Sequence, residues 1–206
     1  MTADPQGPTV LYLSQQQGSM TDWTAYEAEL ASGEADCVNS VIDEIEAMDL
    51  DERVDRFDDL VSGATECYTD SDDGYVRQAC VRFVDALAPT MAAAVDPQGK
   101  LPGDDPESTV RAQTDETCGF FLDALTDDDG RVRQSAERGL VDACRTYETL
   151  DDGETVEAVA AELADLAEGH EGKIRESLLD AKESIESTGV SMVGQLLRDA
   201  AAEFDN

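Results

Sequence analysis

The sequence predicts an all-α fold, an α-solenoid of about three stacked helix pairs with capping helices at both ends. One short phrase occurs three times: Asp73-Gly74-Tyr75-Val76-Arg77-Gln78-Ala79, Asp129-Gly130-Arg131-Val132-Arg133-Gln134-Ser135 and Glu171-Gly172-Lys173-Ile174-Arg175-Glu176-Ser177. Each copy opens a helical stripe. After the first, Val76, Ala79, Cys80, Phe83, Val84 and Leu87 fall at the offsets of one helix face. The spacing is regular once a single insert is removed. Copies two and three start 42 residues apart and copies one and two start 56 apart, while 96–109 is a 14-residue stretch with three prolines, two glycines and no apolar period. An internal period of this length marks a repeat architecture, in which each unit buries its apolar face only by stacking on the next.

The elements follow in order. Residues 1–20 read as a flexible N-terminal segment, with neither the basic start nor the long apolar stretch of a secretory signal. Gly18-Ser19-Met20 leaves open that Met20 is the natural start. Residues 21–49 form a degenerate capping pair, with apolar positions from Trp23 to Leu30 and at Val38, Val41, Ile42 and Ile45. Repeat one covers 50–95, its first helix carried by Val54, Phe57, Val61, Ala64 and Tyr68. The loop 96–109 separates it from repeat two, 110–148, whose first helix carries Cys118, Phe121, Leu122 and Leu125. The second helix of repeat two has Val132, Ser135, Ala136, Gly139, Leu140 and Ala143 on the stripe. Repeat three covers 152–188, with Val156, Val159, Ala160, Leu163 and Ala167 before the phrase and Ile174, Ser177, Leu178, Ala181, Lys182 and Ile185 after it. Lys182 breaks the stripe and places this copy near a wet end of the stack. Val190, Val193, Leu197, Ala201 and Phe204 predict a closing helix over 190–204.

The unit of helix, acidic turn and helix, with Val-Arg or Ile-Arg after the turn and a small residue two positions beyond the arginine, resembles a HEAT repeat over about residues 50 to 188. In that family the turn aspartate and the second-helix arginine tie units together in a ladder. The resemblance therefore implies ladder roles for Asp73, Asp129 and Glu171 as acids and for Arg77, Arg133 and Arg175 as bases. The chain departs from the family in two ways. None of its first helices carries the usual proline, and Glu171 stands in place of aspartate.

Charge sets the surroundings. The chain has 48 acidic and 14 basic residues, only three of them lysine, for a net charge of −34. Self-repulsion on that scale opposes a compact state at low ionic strength, and at ~1 M salt the Debye length shrinks to roughly 3 Å and screens it. Because the acid runs along the whole chain rather than in a tail, the sequence reads as that of a protein from a molar-salt cytoplasm, such as that of a halophilic archaeon. An ordinary acidic interaction protein is the alternative. Five cysteines without a Cys-x-x-Cys spacing point to a reducing cytosol. No apolar run approaches a membrane span.

Sites of chemistry are not evident, so no enzyme, cofactor or metal is expected. His170 is the only histidine and has no nucleophile motif beside it. The runs Asp70-Ser71-Asp72-Asp73 and Asp127-Asp128-Asp129 fail as EF-hand loops, since position 12 would be Val81 or Arg138 instead of glutamate. They read instead as helix caps. Phosphate-cradling and dinucleotide fingerprints are absent.

The basic residues, in contrast, are concentrated. The three second helices (74–88, 130–147 and 172–187) hold nine of the 14 basic residues and sum to +2, whereas the remainder of the chain sums to −36. Second helices line the concave side of a HEAT-like stack. The resemblance thus predicts a nearly neutral inner face, suited to binding as solenoid faces are. Gln78, Arg82, Arg138 and Arg145 lie off the apolar stripe and are the candidate partner-binding residues. The expected function is a non-enzymatic protein–protein adaptor or scaffold with a protein partner. Two alternatives stand beside it: a nucleic-acid-binding HEAT-like protein, which an inner charge of +2 disfavours, and an accessory subunit of the HEAT-like lyase type.

Overall fold

The computed structural model describes residues 19–90, 93 and 105–189. Within them the protein is all-helical: α1 (Ser19–Ala31), α2 (Ala35–Ala47), α3 (Leu50–Asp70), α4 (Gly74–Leu87), α5 (Pro106–Ala124), α6 (Gly130–Thr149), α7 (Gly153–Gly169) and α8 (Gly172–Gly189). No strand occurs among these residues. The expected closing helix at 190–204, most of the N-terminal segment and most of the inserted loop lie outside the described residues. Ser19 and Met20 are already in α1.

Acidic caps start four of the helices. Asp73 accepts the N–H of Tyr75 at 2.8 Å, Asp105 that of Ser108 at 3.2 Å, Asp129 that of Arg131 at 2.8 Å and Asp152 that of Thr155 at 3.2 Å. Each such cap contributes about 1 kcal/mol. The Asp105 cap corrects a boundary. With Pro106 in the first turn of α5, where its missing N–H costs nothing, 106–109 belong to helix rather than to the inserted loop.

The helices pack in sequential pairs, α1 on α2, α3 on α4, α5 on α6 and α7 on α8. The even-numbered helices also form a continuous row, in which α4 lies between α2 and α6, and α6 between α4 and α8. The odd-numbered helices touch one another less, α1 along α3 and α3 only marginally along α5. One core runs through the row, with Leu30, Ile45, Phe57, Leu60, Phe83, Leu87, Phe121, Leu125, Leu140, Tyr147, Leu163 and Leu178 all fully buried.

Packing explains how an imperfect repeat stays full. Phe83, Gly139 and Ala181 share the same register in the three copies. Phe83 fills its own place and meets Trp23 and Tyr26 of α1 at ring-centroid distances of 5.9 and 5.6 Å. At Gly139 the volume comes from the partner helix: a Cβ there would sit 2.5 Å from Cζ of Phe121 on α5. Trp23 uses the same device, lying where a side chain at Gly63 would be. Away from the turns, Arg53 of α3 donates to the carbonyls of Glu46 (3.2 Å) and Met48 (3.4 Å) at the end of α2 and of Ala86 (3.3 Å) at the end of α4. It thereby satisfies carbonyls that a helix terminus leaves open.

Candidate functional site

Two groups of side chains share the row of even-numbered helices, and they have different work. The first sits at the turns and joins one pair to the next. Arg77 of α4 donates through Nε and Nη2 to both oxygens of Asp127 (2.8 and 2.9 Å), through Nη2 to Asp128 (2.6 Å), and through Nη1 to the carbonyl of Ser71 in its own turn (3.2 Å). Asp127 also accepts the Tyr68 hydroxyl at 2.8 Å and the Asp129 N–H at 2.7 Å. Its side chain is only 4% exposed, so this ion pair is shielded from water. Burial alone would raise the Asp127 carboxyl. The hydrogen bonds from Arg77, the Asp129 N–H and Tyr68 outweigh it and hold the group below the ordinary carboxylate range.

The carboxylate that Arg77 grips is thus not the acid of the repeated phrase. Asp73 and Asp129 are caps, and the residue that grips Arg77 is Asp127, two positions before the phrase. The physical reason is position: the phrase's acid lies at the helix start, where the free N–H groups compete for it. Asp129 is further occupied by Arg131, whose guanidinium holds the carboxyl down at about 2. Arg131 in turn lies over the Tyr75 ring of the preceding pair, 3.6 Å from its centroid, a cation–π contact between pairs.

Arg133 is buried at 5% exposure. It donates to the carbonyls of Asp127 (2.6 Å) and Asp128 (3.1 Å) in its own turn and reaches Ser177 Oγ of α8 at 3.0 Å. Where Arg77 finds Asp127, the corresponding position in the next pair is Gly169, so Arg133 has a hydroxyl to grip and no carboxylate. Glu171 and Arg175 are both exposed, and among the described residues neither makes a hydrogen bond or ion pair.

The second group lies along the helices. Gln78 Nε2 donates to Ser135 Oγ at 3.3 Å, linking α4 to α6. Arg82 Nη2 donates to Asn39 Oδ1 at 2.8 Å, linking α4 to α2. Arg145 pairs with Asp142 one turn back at 2.6 Å, both of them exposed. Arg138 is exposed and has no hydrogen-bond or ion-pair partner among the described residues. Arg138 and Arg145 both border an open groove of about 600 Å³ between α6 and α8, shared with Gln134, Glu137, Val141 and Ser184. Ser184 donates to Glu137 across its floor at 2.9 Å.

Sequence reasoning missed Asp85 of α4, a half-buried carboxylate that feels the charges of Asp142 and Arg138 on α6. Burial, with the Asp142 charge next, raises its carboxyl to about 6, against the opposing pull of Arg138 and Arg82. A carboxyl raised on folding is a stability cost that appears as pH climbs from the unfolded value near 4 to about 6. Asp85→Asn is thus expected to stabilise the protein in urea unfolding at pH 7 and to leave it unchanged near pH 4. Equal gains at both values would mean that Asp85 is not raised.

The remaining candidates for chemistry have local roles. His170 ends α7 and its Nδ1 lies 2.8 Å from the Leu166 carbonyl. All five cysteines are free thiols. Among the described residues no cluster of His, Cys, Asp and Glu is placed to hold a metal ion, and no helix is long and apolar enough to cross a membrane. No family model, curated protein or solved structure matches the chain.

Proposed function

We propose that the protein is a HEAT-like α-solenoid that acts as a non-enzymatic adaptor in a high-salt cytosol, holding a protein partner along the face of its even-numbered helices. The continuous row from α2 to α8 supports the solenoid reading, as do the arginines that bridge successive pairs. One observation carries the binding reading: Arg138 is exposed and unpaired among the described residues at the rim of the α6–α8 groove, while Arg77, Arg131 and Arg133 are occupied within the fold. An unpaired guanidinium in a chain this short of cations is available for a planar bidentate contact with a partner's carboxylate.

The test is the double variant Arg138→Gln/Arg145→Gln, used beside the unaltered protein as bait in a molar-salt lysate. Loss of a specific co-purifying protein from a variant that still unfolds cooperatively is the expected result. Identical captured proteins from a folded variant would place binding elsewhere. Glutamine is preferred to charge reversal because Arg138 also eases Asp85, and a new carboxylate there would confuse binding with stability.

A further inference from the structure

The last three even-numbered helices each carry the recurring arginine, and the residues 4, 7 and 11 positions beyond it fall on the same helix face. In α4 this face is Arg77, Val81 and Val84, with Ala88 just past the helix end, and in α6 it is Arg133, Glu137, Leu140 and Cys144. None of these residues is exposed. The following pair meets the face each time: Asp127 at Arg77, Ser177 at Arg133 and Ser184 at Glu137. In α8 the face is Arg175, Leu179, Lys182 and Glu186. There Arg175, Leu179 and Glu186 are exposed and Lys182 is half-buried. Leu179 and Tyr75 are the exposed large apolar side chains among the described residues, and Tyr75 has Arg131 over its ring.

The open face runs into a largely apolar groove of about 490 Å³ near the C-terminal end of α8. Lys182, Ile185 and Glu186 line one side of it, and Val156, Glu157 and Ala160 of α7 the other. In the preceding pair the positions of Val156, Ala160, Lys182 and Ile185 are held by Thr114, Cys118, Leu140 and Ala143, all of them buried. The end of the stack therefore offers the surface on which an inner pair receives its neighbour.

We propose that residues 190–206 dock as a helix in this groove and along the Arg175–Glu186 face, in the place of a further pair. The chain leaves α8 at Gly189, one turn beyond Ile185, so the groove is within immediate reach. Val190, Val193, Leu197, Ala201 and Phe204 recur at helical spacing and supply an apolar side to bury. A helix over 190–204 would reach roughly 22 Å at 1.5 Å per residue, about the length of α8 from Gly189 back to Arg175. Run back along α8, it carries the acids Glu203 and Asp205 toward Arg175, which has no hydrogen-bond or ion-pair partner among the described residues. Tethering favours this segment over a second copy of the chain, because a short link holds it at an effective concentration in the millimolar range. Docking here leaves the Arg138 groove open, since that groove is lined by other residues of α8, Ser184 and Ser187. It stands whether or not Arg138 meets a partner.

The experiment places the photo-crosslinker p-benzoylphenylalanine at position 197 of the full chain. Ordinary and ¹⁵N-labelled chains are mixed and irradiated in molar KCl, and the linked peptides are identified by mass spectrometry. Links within one chain to 153–161 or 179–186 are expected. Links to 134–145, links between labelled and unlabelled chains, or no link at all would overturn the proposal. A second measurement needs no crosslinker. Leu197→Asp should speed amide hydrogen exchange over 153–161 and 179–186 while leaving 76–84 in α4 as in the parent, and unchanged exchange over the first two stretches would equally overturn it.

Discussion

Asp127→Ala is expected to lower the unfolding free energy by about 3 kcal/mol, the lower end of what removing one partner of a buried ion pair costs. Three groups lose their acceptor at once: the Arg77 guanidinium, the Tyr68 hydroxyl and the Asp129 N–H. Arg77 keeps Asp128 and the Ser71 carbonyl, which limits the loss. Asp129→Ala should cost less, about 1 kcal/mol, since it removes a helix cap and a partly exposed pair with Arg131. Urea unfolding of both variants in molar KCl checks the order. A larger effect at Asp129 would return the ladder to the acid of the repeated phrase.

Withdrawal of salt should have a still broader effect. Along α3, Asp51, Asp55, Asp58 and Asp59 are all exposed, and several pairs among them stand three or four residues apart. Side chains so spaced on a helix lie ~5–6 Å from one another, and like charges there are destabilising. That separation exceeds the Debye length of roughly 3 Å at 1 M and falls well inside the ~10 Å of 0.1 M. With 48 acids against 14 bases, most carboxylates have no cation to offset them. Far-UV circular dichroism should show strong helicity and a cooperative thermal transition in molar KCl, and a large loss of both on dialysis into dilute buffer. Full cooperative folding without salt would remove the case for salt adaptation.

The helices were legible because the signals for them are local. The phrase at 73, 129 and 171 marks the starts of α4, α6 and α8: Asp73 and Asp129 cap the first two, and an apolar period follows all three. What joins the pairs was only half legible. Arg77 and Arg133 recur in register and do reach between pairs, but their partners do not recur. Asp127 aligns with Ser71 in the first copy and Gly169 in the third, so comparing the copies averages it away. The available signal was the run of three aspartates before Gly130, two more acids than a cap requires. Asp85 was illegible for a different reason. Its environment comes from burial and from Asp142, Arg138 and Glu46 on neighbouring helices, with only Arg82 on its own helix, and packing is what brings the others together. The groove beside Arg138 likewise exists only between α6 and α8.

The central claim is a division among the arginines of the even-numbered helices, with Arg77 holding the fold and Arg138 left for a partner. The most direct measurement is the unfolding free energy of Arg77→Gln and Arg138→Gln side by side in molar KCl. Arg77→Gln is expected to lose about 3 kcal/mol, because Asp127 stays buried without its cation, and Arg138→Gln to stay within about 0.5 kcal/mol of the parent. Equal losses at the two positions would contradict the account.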